Sequence, residues 1–175
     1  PLTEVTVIAA YHANGLYRLY VADANSEFKV FLTDDASQLV PFVPKTGMRL
    51  SFTVTEITNY DNTFEITQVD GDSWTVDGTG FDVPVTEISD ATPVTANHVN
   101  KVVRVSGTVL SAGSTCGTGY LCYDLDYGAG STVVFRTGDF NLFPVGTCLT
   151  FQGPVTRYNN QPQLTTYGNE WWYTW

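Results

Sequence analysis

Acid–base or nucleophilic chemistry needs titratable groups held at fixed spacing, and this sequence offers few of them. Its two histidines, His12 and His98, are far apart. Neither stands in a nucleophile pattern with serine or cysteine, and no GxSxG, HExxH or phosphate-loop run occurs. A lone histidine is more often a surface or satisfied residue than a catalyst, so no catalytic residue is assigned and no enzyme is expected. Carboxylates are plentiful. Asp70, Asp72 and Asp77 in DGDSWTVDG bring oxygen ligands to one turn, with Asp124, Asp126 and Asp139 as further acids. Loops of this kind suit calcium, but the EF-hand spacing is absent. Asp-Gly-Asp runs are also ordinary hairpin ends, so no cofactor is expected and calcium is the ion to test.

The three cysteines carry a second kind of chemistry. Cys116 and Cys122 flank a turn, CGTGYLC, and a pair closing so small a loop in an exported protein most often forms a disulfide. Cys148 is left over. The alternation of Leu149 and Phe151 points it away from the core, as a free thiol or an intermolecular link. The blander alternatives are that it packs under a loop as a small hydrophobe or itself pairs with Cys116 or Cys122.

Binding is the remaining class. With Leu19, Val21, Phe28, Val30 and Leu32 inward, the outward set is Arg18, Tyr20, Lys29 and Phe31, the rings and cations that a nucleic-acid face requires. The second half puts Cys122, Asp124 and Asp126 in the corresponding place, which would repel phosphate. Net charge is −10, with eight Lys and Arg against eighteen Asp and Glu. Because phosphate-backbone binding draws on cations, nucleic acid is expected to be a disfavoured partner. Trp and Tyr surfaces also take sugars, so glycan stays open as a ligand. At the end of the chain, Trp171, Tyr173 and Trp175 are candidates for self-association, while Trp172 alternates inward. They could instead pack across the join between the two halves.

The elements that must position these residues are strands. Gly47 to Val76 and Gly146 to Trp175 share one plan: Gly47 matches Gly146, Leu50 Leu149, Phe52 Phe151, Tyr60 Tyr158, Ile66 Leu164, Thr67 Thr165 and Trp74 Trp172. The offset falls from 146 − 47 = 99 to 172 − 74 = 98, and alternation loses phase before Ile57, which predicts a β-bulge near Glu56. Each copy reads as an alternating strand, a turn (TNYDNT or RYNNQP) and a second strand. Three strands precede each hairpin: Glu4–His12, Leu16–Ala22 and Phe28–Leu32, then Val102–Leu110, Tyr120–Asp126 and Thr132–Arg136. A turn at Asn14 and Gly15 joins the first two, and Asp34 to Lys45, with two prolines, holds at most a short helix.

Five short strands with the long connection between the third and fourth predict an all-β fold of two tandem five-stranded OB-fold-like Greek-key barrels. The expected division is 1–76, a linker or lead-in over 77–100, and 101–175. The runs VNKVVRVSGTVL and GTCLTFQGPVTRYNNQPQLTTYG resemble secreted OB-fold modules of bacterial and archaeal exported proteins. That resemblance implies the barrel and an extracellular setting, and no particular chemistry. No apolar run of about 18 residues exists, so no membrane span is expected. Opening on Pro1, the chain is expected to be a processed product or a fragment. The functional expectation is a secreted, non-enzymatic structural protein that forms homo-oligomers or a polymer, as a filament, tube or surface layer. Its alternative is an extracellular binding module for single-stranded nucleic acid, glycan or protein.

Overall fold

The computed structural model describes residues 1–13, 16–32, 40–138, 141–167 and 170–175. Asn14, Gly15, Asp139 and the first half (34–39) of the segment expected to hold a short helix lie outside these. The chain divides into two compact units, Pro1–Pro84 and Val85–Trp175. The stretch 77–100 is therefore shared: the last strand of the first unit runs to Gly78, and Thr86–Glu87 pairs within the second.

The first unit contains β1 (Leu2–Ala13), β2 (Leu16–Ala22), β3 (Glu27–Val30), β4 (Arg49–Phe52), β5 (Val54–Tyr60), β6 (Thr63–Val69) and β7 (Thr75–Gly78). Only Thr53 separates β4 from β5, and together they act as one long fourth strand. β1 pairs antiparallel with β2 and β2 with β3, β3 runs parallel to β6, β6 pairs antiparallel with β5, and β4 returns to β1. That ring, first to second to third to fifth to fourth and back to first, is the OB barrel.

The second unit repeats the ring with β8 (Thr86–Glu87), β9 (Val102–Val109), β10 (Ser114–Thr115), β11 (Tyr120–Asp126), β12 (Thr132–Gly138), β13 (Cys148–Tyr158), β14 (Gln161–Thr165) and β15 (Trp172–Thr174). Here β9 pairs with β11, β11 with β12, β12 runs parallel to β14, and β13 closes onto both β14 and β9.

Period-two alternation fills each barrel. Val5, Val7, Leu19, Val21, Val30, Leu50, Phe52 and Ile66 make the first core, and Val103, Val105, Leu125, Phe135, Leu149, Phe151, Val155 and Leu164 the second. The matched hairpins turn in the same way: Asp61 and Asn62 have φ of 50° and 58°, Asn159 and Asn160 48° and 60°. Positive φ at both central residues is the type I′ demand, and Asn and Asp tolerate it best among residues with side chains. The bulge expected near Glu56 is present, since the β5–β6 register shifts on both sides of that residue.

Leu149 is fully buried in the second core. Leu149→Ala should therefore lower the unfolding free energy by about 2–5 kcal/mol, read as a fall in the urea midpoint at unchanged slope. A loss no larger than a surface change gives, about 0.5 kcal/mol, would exclude this packing.

Candidate binding site

The second barrel brings one arginine and three tyrosines together at one mouth. Pairing sets Cys122 opposite Arg136, so with Tyr123 and Phe135 in the core, Tyr120, Cys122 and Arg136 share the outer face. Arg136 Cζ lies 3.8 Å from the Tyr120 ring centroid and 5.9 Å from that of Tyr158. Tyr167 meets Tyr120 edge-on at 6.0 Å. Tyr120 opens β11 beside the loop after the first strand, and Tyr158 ends β13 at the hairpin between the fourth and fifth. Those two loops and the face of strands two and three are where OB barrels take oligonucleotides and oligosaccharides.

The surroundings hold this arrangement in place. Gly117 leaves room for the guanidinium: a Cβ there would lie 3.2 Å from Arg136 Nη2. The Cys116–Cys122 disulfide ties that loop to β11, with the sulfurs 2.06 Å apart. Arg136 Nε is buried without a hydrogen-bond partner, so the ring face supplies its main contact. A guanidinium is weakly hydrated and stacks well, which makes this a workable resting state. Tyr120 titrates above the ordinary phenol value of 10.0. Burial is the largest cause and Tyr167 adds to it, Arg136 acts in the opposite sense, and Glu170 raises it further. Tyr158 is 43% exposed and presents the open end of the cluster.

The other candidate residues are placed as follows. Arg18, Tyr20, Lys29 and Phe31 lie together on one face, but they turn to one another. Tyr20 and Arg18 are buried. Arg18 donates to the Leu32 carbonyl and stacks on Phe31 at 4.0 Å, while Lys29 pairs with Glu65 at 2.7 Å. The cations are thus already spent, and the set does not form an open face. Tyr20 lies on the face opposite the core residues Leu19 and Val21.

Asp70 caps the short 3-10 turn Gly71–Ser73 and Asp77 accepts a hydrogen bond from Ser51 Oγ at 2.6 Å, so both serve the local backbone and strand. Among the described residues no three His, Cys, Asp or Glu side chains gather to hold a metal. His98 accepts from the Thr95 N–H at 3.0 Å, and the His12 ring lies tilted against that of Tyr17, their centroids 4.8 Å apart. Cys148 is a free, half-buried thiol opposite Thr108. At the end of the chain Trp172 pairs opposite Phe151 and meets Phe143 edge-on at 4.9 Å. Trp171 packs beside Gly153, where a Cβ would come within 2.9 Å of it. Tyr173 and Trp175 stay exposed. Among the described residues no helix is long and apolar enough to cross a membrane.

No protein-family model matches the sequence, and no curated protein matches it. Among solved structures the chain is similar to a p204 HINb domain, with 11% identity and a TM-score of 0.45 over 100% of this chain and 97% of that one. It is also similar to tetrameric p202 HIN2, at 10% identity and TM-score 0.44, over 98% and 91%. A murine DNA-binding protein bound with double-stranded DNA gives 14% and 0.44, over 98% and 92%. The expectation that nucleic acid is a disfavoured partner is corrected here. It rested on net charge, and the similar structures include ones in complex with double-stranded DNA. Charge summed over the chain does not describe a local face such as the one holding Arg136 among tyrosines.

The raised Tyr120 pKa has a definite sign. A group that binds its proton more tightly when folded stabilises the fold below the unfolded pKa and loses that contribution as pH rises through the folded one. Stability should decline above about pH 10, and Tyr120→Phe should make that decline shallower. Thermal melts of both proteins across that range check it, and parallel curves would refute it.

Proposed function

We propose that this chain is a non-enzymatic binding module that acts outside the cell and takes single-stranded nucleic acid at the mouth of its second barrel. The observation that carries this reading is the stack of Tyr120, Arg136 and exposed Tyr158 beside the two loops that OB barrels use. Unpaired bases stack on aromatic rings whatever their sequence, and one guanidinium meets one phosphate. A duplex hides its base faces, so the cluster favours a single strand. The extracellular setting is supported by the disulfide, which persists in oxidising compartments. Asp124 and Asp126, towards the other end of β11, confine an anionic strand to the Tyr120 end.

With so few cations at the site, binding should depend on stacking and respond weakly to salt. Fluorescence polarisation of a labelled oligothymidine should show saturable binding whose log–log salt slope is roughly −1, as expected for one or two phosphates. Tyr158→Ala and Arg136→Gln should each weaken it by about 5- to 100-fold. Absence of binding, or equal affinity for a labelled duplex, would overturn the proposal.

A second reading, self-association into an extracellular filament, tube or surface layer, is favoured by a different observation. β5 lies at the end of the first sheet with β6 as its partner, and the hairpin exposes Ile57 (57%) and Phe64 (66%). The register sets Ile57 opposite Ile66 and Asn59 opposite Phe64, so both apolar side chains lie on one face. An edge strand with exposed apolar residues is a template for a strand of another chain. Sedimentation velocity should show growth with concentration that Ile57→Lys and Phe64→Lys each reduce, with a reductant arm for Cys148. A wild-type monomer at every concentration would eliminate this reading.

A further inference from the structure

We propose that the first barrel carries a separate site for a small zwitterion, a ligand bearing one carboxylate and one ammonium group, centred on Arg49. A cavity of about 500 Å³ opens on this barrel, within the roughly 300–1,000 Å³ range of small-ligand sites. Arg49, Glu4, Thr6, Asp23, Asn25 and Asp82 are among the residues that line it.

The backbone around the cavity is irregular on both flanks. β1 slips register against β4 between Leu2 and Val5, and against β2 between Val7 and Ala9. Glu4 sits at φ 52°, a conformation that costs energy in a residue with a side chain. Its N–H is held by Ser51 Oγ at 2.9 Å, and Ser51 in turn donates to Asp77. Bulges of this kind re-aim side chains and cluster beside sites.

The cation is held in the same way. Arg49 Cζ stands 3.7 Å over the Phe81 ring, and its Nε is buried with no hydrogen-bond partner. Phe81 reaches that position because two glycines yield to it. A Cβ on Gly78 would come within 2.9 Å of the ring, and one on Gly47, at φ +82°, within 2.7 Å of the Phe81 carbonyl oxygen. Among the described residues Arg49 forms no ion pair, so a planar anion can take its donor fork. Glu4, Asp23 and Asp82 surround that anion with negative charge. They repel a dianion such as phosphate and attract an ammonium group on the same ligand. Thr6 and Asn25 add neutral hydrogen-bonding groups.

The test is an amide NMR titration of the full chain with a panel of free α-amino acids, their N-acetyl derivatives and inorganic phosphate. At least one free amino acid should shift the resonances of Thr3 to Ile8 and Asp23 to Asn25, and its N-acetyl form should bind at least about tenfold more weakly. Arg49→Gln should abolish the shifts while the rest of the spectrum is kept. Asp82→Asn, an exposed change, should weaken the free amino acid and, by removing a repelling charge, tighten the N-acetyl form, so that the difference between the two narrows. Arg136→Gln in the second barrel should change none of this, so the result stands apart from the fate of the nucleic-acid reading. No shift with any amino acid, or phosphate binding as tightly as the best of them, would overturn the proposal.

Discussion

The return of the fourth strand to the first is the interaction on which both units depend. A five-stranded sheet that stays open leaves two edges, and each buried core would then have one wet side. In the second barrel β13 makes this closure with seven paired positions along β9, from Cys148 opposite Thr108 to Pro154 opposite Val102. The same strand delivers Leu149, Phe151 and Val155 to the core, accepts β15 beside Phe151, and carries Tyr158 out to the mouth. Packing and the candidate site are thus consequences of one strand's register. A slip of one residue would turn the apolar set outward and take Tyr158 away from Arg136.

The arginines show how an acidic chain keeps its few cations available. Lys29 and Arg104 are neutralised by Glu65 and Glu87. Arg18, Arg49 and Arg136 instead lie within 4.0 Å of ring centroids, those of Phe31, Phe81 and Tyr120. A ring orients a guanidinium without cancelling its charge, whereas a carboxylate does both. Where the ring is on the surface, as at Arg49 and Arg136, a positioned cation remains for a ligand. At Arg18 the side chain is buried and donates to the Leu32 carbonyl, which leaves little for solvent.

What was legible in the sequence was local in origin. The two hairpins, their Asp-Asn and Asn-Asn turns and the extra residue near Glu56 all follow from alternation and from which residues tolerate positive φ. Once five strands per half were counted, the length of the third connection pointed to the barrel. The candidate cluster was not legible in the same way. Tyr120, Arg136, Tyr158 and Tyr167 come from four separate places in the chain and meet only when β11, β12 and the last hairpin take their register. Alternation did name Arg18, Tyr20, Lys29 and Phe31 as one face, but side-chain direction does not say whether a face is covered. Phe81 escaped notice because it lies beyond any strand, in a segment that read as a join.

Superposing the two pairing schemes shows how one scaffold acquires two characters. The parallel pairs Val30–Ile66 and Phe135–Leu164 are equivalent, since Ile66 and Leu164 match in the repeat, so the residue after each is equivalent too. Phe31 in the first barrel therefore occupies the place of Arg136 in the second. At that position the first barrel puts a ring and caps it with Arg18 and Lys29, whereas the second puts the cation and flanks it with Tyr120 and Tyr158. The exchange turns a sealed patch into an open stack. The reverse holds on the fourth strand, where the repeat aligns Arg49 with Cys148 and only the first barrel has a cation over a ring. Each barrel thus holds one half-buried cation–ring pair, at positions the other has given up, and the repeat carries two different surfaces on one fold.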